Sequence, residues 1–423
     1  MTNQAALFEI QRPTDVDWTP DIATARNRLA AFIPNAGRAY ARDRNFDLGV
    51  EDRSNVSALS PWLRHRLITE EEVLRETFKR HSYSMAEKFV QEVFWRGYFK
   101  GWLEHRPVIW SQYRQTLVAL AQQYEKDASL ARRYDEAVAG KTGIACFDNW
   151  ADELVETGYL HNHARMWFAS IWIYTLKLPW ELGADFFYRH LLDGDPASNT
   201  CSWRWVGGLH TMGKTYLARA SNIETFTRGR FNPAGQLAPE AQPLRGPALP
   251  QAVPPQFEDM MGIDLHLRGR KVGLVITEED CSLAAIPQGV HPTHVIGLSA
   301  PSKRSVWPTG EIATRFAPGA VESATASAVD HFAAAGIVSD GEDWGYALSD
   351  WAQENGLDTL IVSRPPIGPV RKRLIKARKR LSETGIGLIE VTHAYDEAVW
   401  RYTKAGFFGL KKKIPTILEQ LSI

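Results

Sequence analysis

Apolar residues in the first part of the chain recur with the spacing of helices. Residues 85–104, MAEKFVQEVFWRGYFKGWLE, extend for about five turns before glycines interrupt the pattern. Residues 150–176 form another long helical stretch, with a break expected near Gly158. Few segments alternate with the period of two that marks a half-buried strand. We therefore predict a mainly α domain over residues 1–232.

A stretch rich in proline, alanine and glycine separates this domain from a second one. Residues 233–256, PAGQLAPEAQPLRGPALPQAVPPQ, have no periodic apolar pattern and predict a linker, which we place at 233–258. After it, the β-branched runs KVGLVIT, THVIGLSA, DTLIVSRP and IGLIEVT alternate with helical segments. This alternation predicts an α/β domain over residues 259–423, with a Rossmann-like parallel sheet covered by helices.

The composition is typical of a globular protein. Apolar residues make up 44% of the 423 residues and charged residues 23%. The first residues lack a basic segment followed by an apolar run, and no stretch approaches ~20 apolar residues. We expect a cytoplasmic protein without a membrane partner.

The formal net charge is zero, so nucleic-acid binding would need a local basic patch. Two runs are candidates, RKRLIKARKR at residues 371–380 and the three lysines Lys411–Lys413. Each is compatible with a solvated surface or with phosphate contacts. The charge pattern alone leaves both interpretations open.

No pattern predicts a metal site. Cys146, Cys201 and Cys281 lie far apart and form no CxxC pair, so we expect reduced thiols and no bound metal. His161 and His163 are two residues apart within a helical stretch, where they would point to different faces.

Residues 191–205, LLDGDPASNTCSWRW, combine two carboxylates with two indoles around an arginine. Asp193 and Asp195 can accept hydrogen bonds from a sugar hydroxyl or a ring N–H, and Trp203 and Trp205 can stack or pass electrons. Because unpaired buried charge is costly, the mixture fits the wall of a polar cofactor pocket. A turn followed by a buried, tryptophan-rich strand fits equally well.

Residues 208–215, GLHTMGKT, match the P-loop expression GxxxxGK[ST]. That motif binds phosphate only where it joins a buried strand to a helix. The preceding residues are short and rich in tryptophan, which disfavours a nucleoside triphosphate site.

Six sequence blocks follow one another between residues 37 and 205. They are GRAYARDRNF (37–46), VSALSP (56–61), FVQEVFWRGYF (89–99), GKTG (140–143), TGYLHNHARM (157–166) and LLDGDPASNTCSWRW (191–205). In this order they resemble the helical FAD-binding domain of the DNA photolyase/cryptochrome family. The resemblance leaves no role for the P-loop expression, because the family has no triphosphate site there.

The resemblance implies that the cofactor is FAD. The implied cofactor-binding residues are Tyr40, Ser57, Leu59, Ser60, Phe89, Arg96, Arg165, Asp193, Asp195 and Asn199. Asn199 would face flavin N5, where an asparagine can support the reduced flavin that repair needs. Ser60 would also begin a helix, whose N-terminus favours an anion.

The resemblance further implies light-driven repair of UV-damaged DNA. Excited reduced FAD would donate an electron to a cyclobutane pyrimidine dimer flipped from the duplex, and the electron would return after the ring splits. The implied lesion-pocket residues are Glu92, Trp95, Asn162, His163 and Trp205, and the implied catalytic residues are Glu92, Asn199, Trp203 and Trp180. From the residues alone, Glu92 and Arg96 could instead form a surface ion pair.

Three features depart from the family pattern. Trp203 and Trp180 match the inner and middle members of its electron-carrying tryptophan chain, but the outer position is Ala137. The candidate substitutes are Tyr134, Trp150 and Trp172. His163 replaces a DNA-contacting arginine. The α/β domain follows the helical one, so it resembles a relocated antenna domain, with the antenna chromophore unassigned.

Two classes of function remain open. Asn199, Glu92 and the pair Trp95 and Trp205 favour a repair enzyme, a deoxyribodipyrimidine photo-lyase. The missing outer tryptophan and His163 leave open a cryptochrome-like blue-light photoreceptor with a signalling partner. A photolyase for the (6-4) photoproduct is a further alternative, with His161 or His163 as the proton donor.

Overall fold

The computed structural model describes residues 16–257, 263, 267 and 269–423 of the chain. The predicted end of the linker at residue 258 and the start of the α/β domain at residue 259 lie outside the described residues, as does the segment 1–15.

The first part of the chain is helical. Its helices are α1 (Ile22–Phe32), α2 (Arg38–Asp43), α3 (Ser60–His65), α4 (Glu70–Phe78), α5 (Tyr83–Glu104), α6 (Pro107–Tyr124), α7 (Ala128–Val138), α8 (Ala145–Thr157), α9 (Asn162–Ser170), α10 (Trp180–His190), α11 (Trp203–Val206) and α12 (Ala220–Phe226). The helix expected over residues 85–104 is α5. Within the described part of residues 1–257 no strand occurs, in agreement with the mainly α prediction.

The break predicted in the stretch 150–176 lies at Gly158. This residue follows α8 with a left-handed φ of 68°, and its N–H donates to the carbonyl of Leu154 at 3.0 Å. Glycine adopts this conformation without a steric penalty. After α9 the chain continues into a π-helical turn over Ile171–Thr175.

The tryptophan-rich segment is helical, so the alternative of a buried strand is wrong. A π-helical turn over Ala197–Cys201 leads into α11. Asp195 Oδ1 starts the turn by accepting from the N–H groups of Ala197 at 2.7 Å and Ser198 at 2.8 Å. The P-loop-like residues 208–215 follow a helix, which agrees with rejecting a triphosphate site.

The second part of the chain alternates strands and helices, as predicted. Its elements are β1 (Val272–Thr277), β2 (His294–Leu298), α13 (Glu311–Phe332), β3 (Ala335–Ser339), α14 (Trp344–Glu354), β4 (Thr359–Ser363), α15 (Pro369–Glu383), β5 (Gly387–Val391), α16 (Ala394–Trp400), α17 (Phe407–Lys411) and α18 (Ile414–Gln420). The sheet is parallel, with the strand order β3-β2-β1-β4-β5.

The two faces of the sheet contribute to different apolar clusters. Val275 of β1 packs in a cluster with Leu348 of α14 and Leu374 of α15. Its neighbours Leu274 and Ile276 belong to the core that contains α13 and the helical part of the chain. Side chains alternate between the faces of a strand, so β1 connects both clusters.

Two glycines bring the end of the chain close to α5. A Cβ at Gly97 would lie 3.1 Å from Tyr395, and a Cβ at Gly101 would lie 2.7 Å from Trp400. Both partners belong to α16, so this helix occupies a groove that α5 leaves open. Within the described residues, no helix has the length and apolarity needed to cross a bilayer.

Candidate functional site

One cavity in the helical part brings together nearly all the predicted cofactor residues. Its lining includes Tyr40, Ser57, Leu59, Ser60, Phe89, Arg96, Arg165, Asp193 and Asn199. The tenth predicted residue, Asp195, is buried directly behind this lining, where it forms an ion pair with Arg96. Their placement depends on helices that are distant in sequence, chiefly α2, α3, α5 and α9.

The two aspartates of the cavity are neutralised by arginines. Arg165 Nη1 donates to Asp193 Oδ2 and to Asn199 Oδ1, both at 2.8 Å. Arg96 lies 3.3 Å from Asp195 and 3.7 Å from Asp193. Burial would raise the pKa of Asp193, but Arg165 and Arg96 outweigh it and hold that pKa below its usual value. Both carboxylates are therefore ionised acceptors at neutral pH.

The loop before α3 is shaped to present backbone N–H groups. Ala58 has a φ of 52°, and Leu59 follows with a right-handed conformation. Such consecutive left- and right-handed residues form a concave row of N–H groups that suits an anion. Arg28 holds the loop from behind by donating to the carbonyls of Val56 at 3.0 Å and Ser57 at 2.8 Å.

A second cavity adjoins the first and contains the predicted lesion-pocket residues. Its lining includes Glu92, Trp95, Asn162, His163, Trp205, Asn199 and Trp203. Five of these, all except Trp203 and Trp205, also line the first cavity. Trp205 is 37% exposed and stacks on Tyr216 at a ring distance of 5.5 Å. A polar cavity and an aromatic one therefore share a wall.

Glu92 pairs with Arg44, a residue to which the sequence analysis assigned no role. The two side chains form a hydrogen bond across the wall between the cavities. The alternative of a surface ion pair between Glu92 and Arg96 is wrong, because Arg96 points to the aspartates. Burial raises the pKa of Glu92, and Arg44 opposes that shift. Arg44 lies within the block GRAYARDRNF, which was the only signal for it.

The two histidines of the block TGYLHNHARM hold the backbone of α2 and its loop. The ring nitrogen Nε2 of His161 is 3.1 Å from the carbonyl of Arg44, and Nδ1 of His163 is 2.7 Å from that of Asn45. Burial lowers the pKa of both rings. Among the described residues, no group of three potential ligands could hold a metal ion.

The C-terminal part of the chain covers one face of Trp95. The ring of Phe407, at the start of α17, stacks on Trp95 with centroids 3.7 Å apart and planes 11° from parallel. No sequence motif connects Phe407 with α5, so the sequence alone does not predict this contact.

A series of aromatic contacts leads from Trp203 through two of the proposed substitutes and does not include Trp180. Trp203 contacts Trp172 at 6.3 Å, Trp172 contacts Tyr134 at 6.1 Å, and Tyr134 stacks on Trp307 at 5.8 Å. Trp180 lines neither cavity and contacts Tyr113 at 5.8 Å. Of the three proposed substitutes, Tyr134 and Trp172 join this chain, whereas Trp150 stacks on Trp167.

Comparison with known families identifies this arrangement. Residues 89–239 match the family described as the FAD binding domain of DNA photolyase. Residues 89–239 are thus similar to the DNA photolyase/cryptochrome family, which supports the resemblance that the six sequence blocks carry. The match covers α5 to α12 and includes most of the residues that line the two cavities.

Curated relatives named deoxyribodipyrimidine photo-lyase show the same similarity. The relative from Streptomyces griseus is 30% identical over 57% of this chain and 51% of its own length. A relative from Thermus thermophilus is 33% identical over 43% of this chain and 41% of its own. The chain thus spans about half, or less, of the length of these relatives.

Two solved structures are similar over about half of the chain. A class III photolyase from Agrobacterium tumefaciens is 25% identical, with a TM-score of 0.41, and the alignment covers 51% of this chain and 46% of that one. A cryptochrome from Synechocystis is 20% identical, with a TM-score of 0.38, and the coverage is 49% and 43%.

The residues of the first cavity fit FAD. The serine hydroxyls and the N–H groups of residues 58–60 suit phosphates, and the paired aspartates suit hydroxyl and ring N–H donors. Tyr40 and Phe89 supply aromatic surface beside them. Because two arginines already neutralise the aspartates, the cavity does not repel a diphosphate by net charge.

Proposed function

We propose that the protein is a light-driven, FAD-dependent photolyase that repairs cyclobutane pyrimidine dimers in UV-damaged DNA. The observation that carries this proposal is the common wall of the two cavities. Glu92, Trp95, Asn162, His163 and Asn199 line both, so a substrate in the aromatic cavity would lie against the cofactor cavity. When bound, FAD supplies the light absorption and the electron.

The side chains of the second cavity have chemistry that suits an extruded dimer. Trp95 and Trp205 offer flat apolar surfaces to unstacked bases. Glu92 lies beside them, and its raised pKa favours a carboxyl group that can hold a proton for a base carbonyl. Arg44 fixes the position of this carboxyl group and limits the rise in its pKa.

The wild-type protein with reduced flavin should restore intact thymines in a dimer-containing oligonucleotide under light, and not in the dark. Glu92→Gln removes the proton donor but keeps the shape, so we expect repair at least about tenfold slower with the same flavin content. Glu76→Gln, on the exposed surface of α4, is the matched control. Product analysis by chromatography and the flavin absorbance measure the two effects.

Three outcomes would change the proposal. Loss of flavin from Glu92→Gln would show that the two cavities are assigned wrongly. Cleavage of a (6-4) photoproduct, with the cyclobutane dimer left intact, would change the lesion. A wild-type protein that photoreduces its flavin and leaves both lesions intact would indicate a cryptochrome-like photoreceptor. The stacking of Phe407 on Trp95 favours this second candidate, because it leaves less of the Trp95 ring free to contact a base.

A further inference from the structure

Residues 404–413, KAGFFGLKKK, contact α5 at Trp95, a residue that lines the second cavity, and we call them the C-terminal rim. Phe407 anchors the rim by stacking on Trp95, and its ring also lies 5.7 Å from Tyr98. Lys411 forms a second anchor, with its Nζ 3.2 Å from Glu87 Oε1 on α5. Contacts at both ends therefore fix the rim against α5, beside the predicted lesion pocket.

The outward side of the rim combines positive charge with an exposed aromatic ring. Phe408 is 77% exposed, the largest exposed fraction among the exposed large hydrophobic residues described. Lys404, Lys412 and Lys413 are exposed, and none of them forms an ion pair within the described part of the chain. An unpaired lysine cluster beside a solvent-exposed phenylalanine is typical of a surface that binds a nucleic-acid strand.

The other basic run, residues 371–380, differs from the rim because several of its charged side chains have carboxylate partners. In α15, Arg371 pairs with Glu104 at 2.7 Å, Lys376 with Asp343 at 2.8 Å and Arg378 with Glu390 at 2.7 Å. Carboxylates of the protein thus neutralise much of that run, whereas three of the four rim lysines, Lys404, Lys412 and Lys413, form no ion pair among the described residues. The structure separates two motifs that the sequence left equivalent.

The loop that follows α11 also carries exposed residues, and it contacts Tyr98 as Phe407 does. His210 contacts Tyr98 through a 2.9 Å hydrogen bond, and the loop continues to Met212, which is 60% exposed, and to exposed Lys214. Tyr98 therefore lies between this loop and Phe407 of the rim. Exposed lysines thus follow both contacts of Tyr98, Lys214 in the loop and Lys412 and Lys413 in the rim.

We propose that the C-terminal rim is part of the DNA-binding surface. Lys404, Lys412 and Lys413 contact phosphates of the damaged strand, and Phe408 packs against an unstacked base beside the lesion. The proposal rests on the proposed function for its ligand, and it assigns a substrate-binding role to the C-terminal part of the chain.

Binding of a labelled single-stranded oligonucleotide, with and without a thymine dimer, tests this role in the dark over a range of salt concentrations. The triple variant K404A/K412A/K413A should bind both at least about tenfold more weakly at low salt. Its slope of log affinity against log salt should fall by about 2, since each phosphate contact on a single strand contributes about 0.7. The variant K126A/K372A/K379A removes three exposed lysines from α15 and the end of α6 and should bind as the wild type does.

Phe408 provides an independent test that does not change the charge. Phe408→Ala should weaken binding at least about fivefold with the salt slope unchanged, and Phe408→Trp should restore it, as expected for stacking on a base. Equal affinities of the triple variant, its control and the wild type would overturn the proposal, as would a wild type that binds neither oligonucleotide. Rim-dependent binding without dimer cleavage would support the rim and contradict only the proposed repair reaction.

Discussion

At the residue scale, His161 shows how a buried side chain of the site is held in one protonation state. Its Nδ1 accepts from the N–H of His163 at 3.2 Å and caps α9, so its Nε2 must carry the proton that reaches the carbonyl of Arg44. Protonation of Nδ1 would place its N–H against the backbone N–H of His163, so that two donors would face each other. Burial is the main cause that lowers the pKa of this ring.

This geometry predicts a loss of stability in acid. The pKa of His161 is lower in the folded protein than the ~6.5 of an exposed histidine, so its contribution is complete above about pH 6.5 and is lost as the pH falls. His161→Asn keeps a capping acceptor without titrating. We expect its Tm to fall less than that of the wild type between about pH 7 and about pH 5, because the titration of His161 costs the wild type up to about 1.4 kcal/mol of unfolding free energy per pH unit.

Thermal unfolding at the two pH values measures this difference. His291→Asn is the control, because His291 is exposed to solvent. An equal fall in Tm for the wild type and His161→Asn would contradict the tautomer that we infer. Other buried histidines, such as His210, whose burial lowers its pKa to about 4, account for the acid sensitivity that the variant retains.

At the element scale, the packing of α16 on α5 explains two glycines in the middle of a helix. Glycine costs about 1 kcal/mol relative to alanine in a helix interior, so two of them four residues apart need a reason. A Cβ at Gly101 would lie 2.5 Å from Thr403 Oγ1 and 2.7 Å from Trp400 Cδ1. The two helices can approach each other this closely only because Gly97 and Gly101 have no side chains.

Gly101→Ala should therefore destabilise the protein despite the better helix propensity of alanine. Overpacking of a well-packed contact costs about 1–3 kcal/mol, which equals or exceeds the gain of about 1 kcal/mol. Gly289→Ala, where an added Cβ meets nothing within 4 Å, should leave stability nearly unchanged. Urea denaturation gives both values, and a more stable Gly101→Ala would show that α16 can move away from α5.

At the scale of the whole molecule, buried ion pairs join the helical part to the α/β part. Arg64 of α3 donates to both oxygens of Glu279, at 2.7 and 2.9 Å, and both side chains are almost fully buried. Arg66 reaches Asp280 at 3.2 Å and Asp396 at 2.5 Å. One apolar core also includes residues from both parts. The two parts should therefore unfold together.

Glu279→Leu tests this coupling because it leaves Arg64 buried without its partner. Loss of one member of a buried pair costs about 3–5 kcal/mol, whereas loss of both removes the uncompensated charge. The double variant R64M/E279L should thus be more stable than the single one. Circular dichroism and tryptophan fluorescence during denaturation should give coincident transitions. Two separate transitions in the wild type would show that the parts unfold independently.

Residues of the site that lie in sequence motifs were predicted, whereas contacts between elements far apart in the chain were not. Nine of the ten predicted cofactor residues line one cavity, because ordered motifs with a family-like spacing constrain where their side chains lie. Arg44, Phe407 and Trp307, the last ring of the aromatic chain from Trp203, were missed. Each of these depends on how an element packs against another one far along the chain, which local pattern does not encode.

The sequence by itself determined the helical and α/β character of the two parts, the break at Gly158 and most residues of the cofactor cavity. Periodicity, helix-ending residues and motif spacing are local properties, so the linear chain carries them. The tertiary structure decided that Glu92 pairs with Arg44, and that Lys376 of α15 has a carboxylate partner whereas Lys404, Lys412 and Lys413 of the rim form no ion pair among the described residues. It also placed Phe407 on Trp95. These contacts arise from the packing of α5 against α2, α16 and α17, and burial and pairing of charges follow only from that packing.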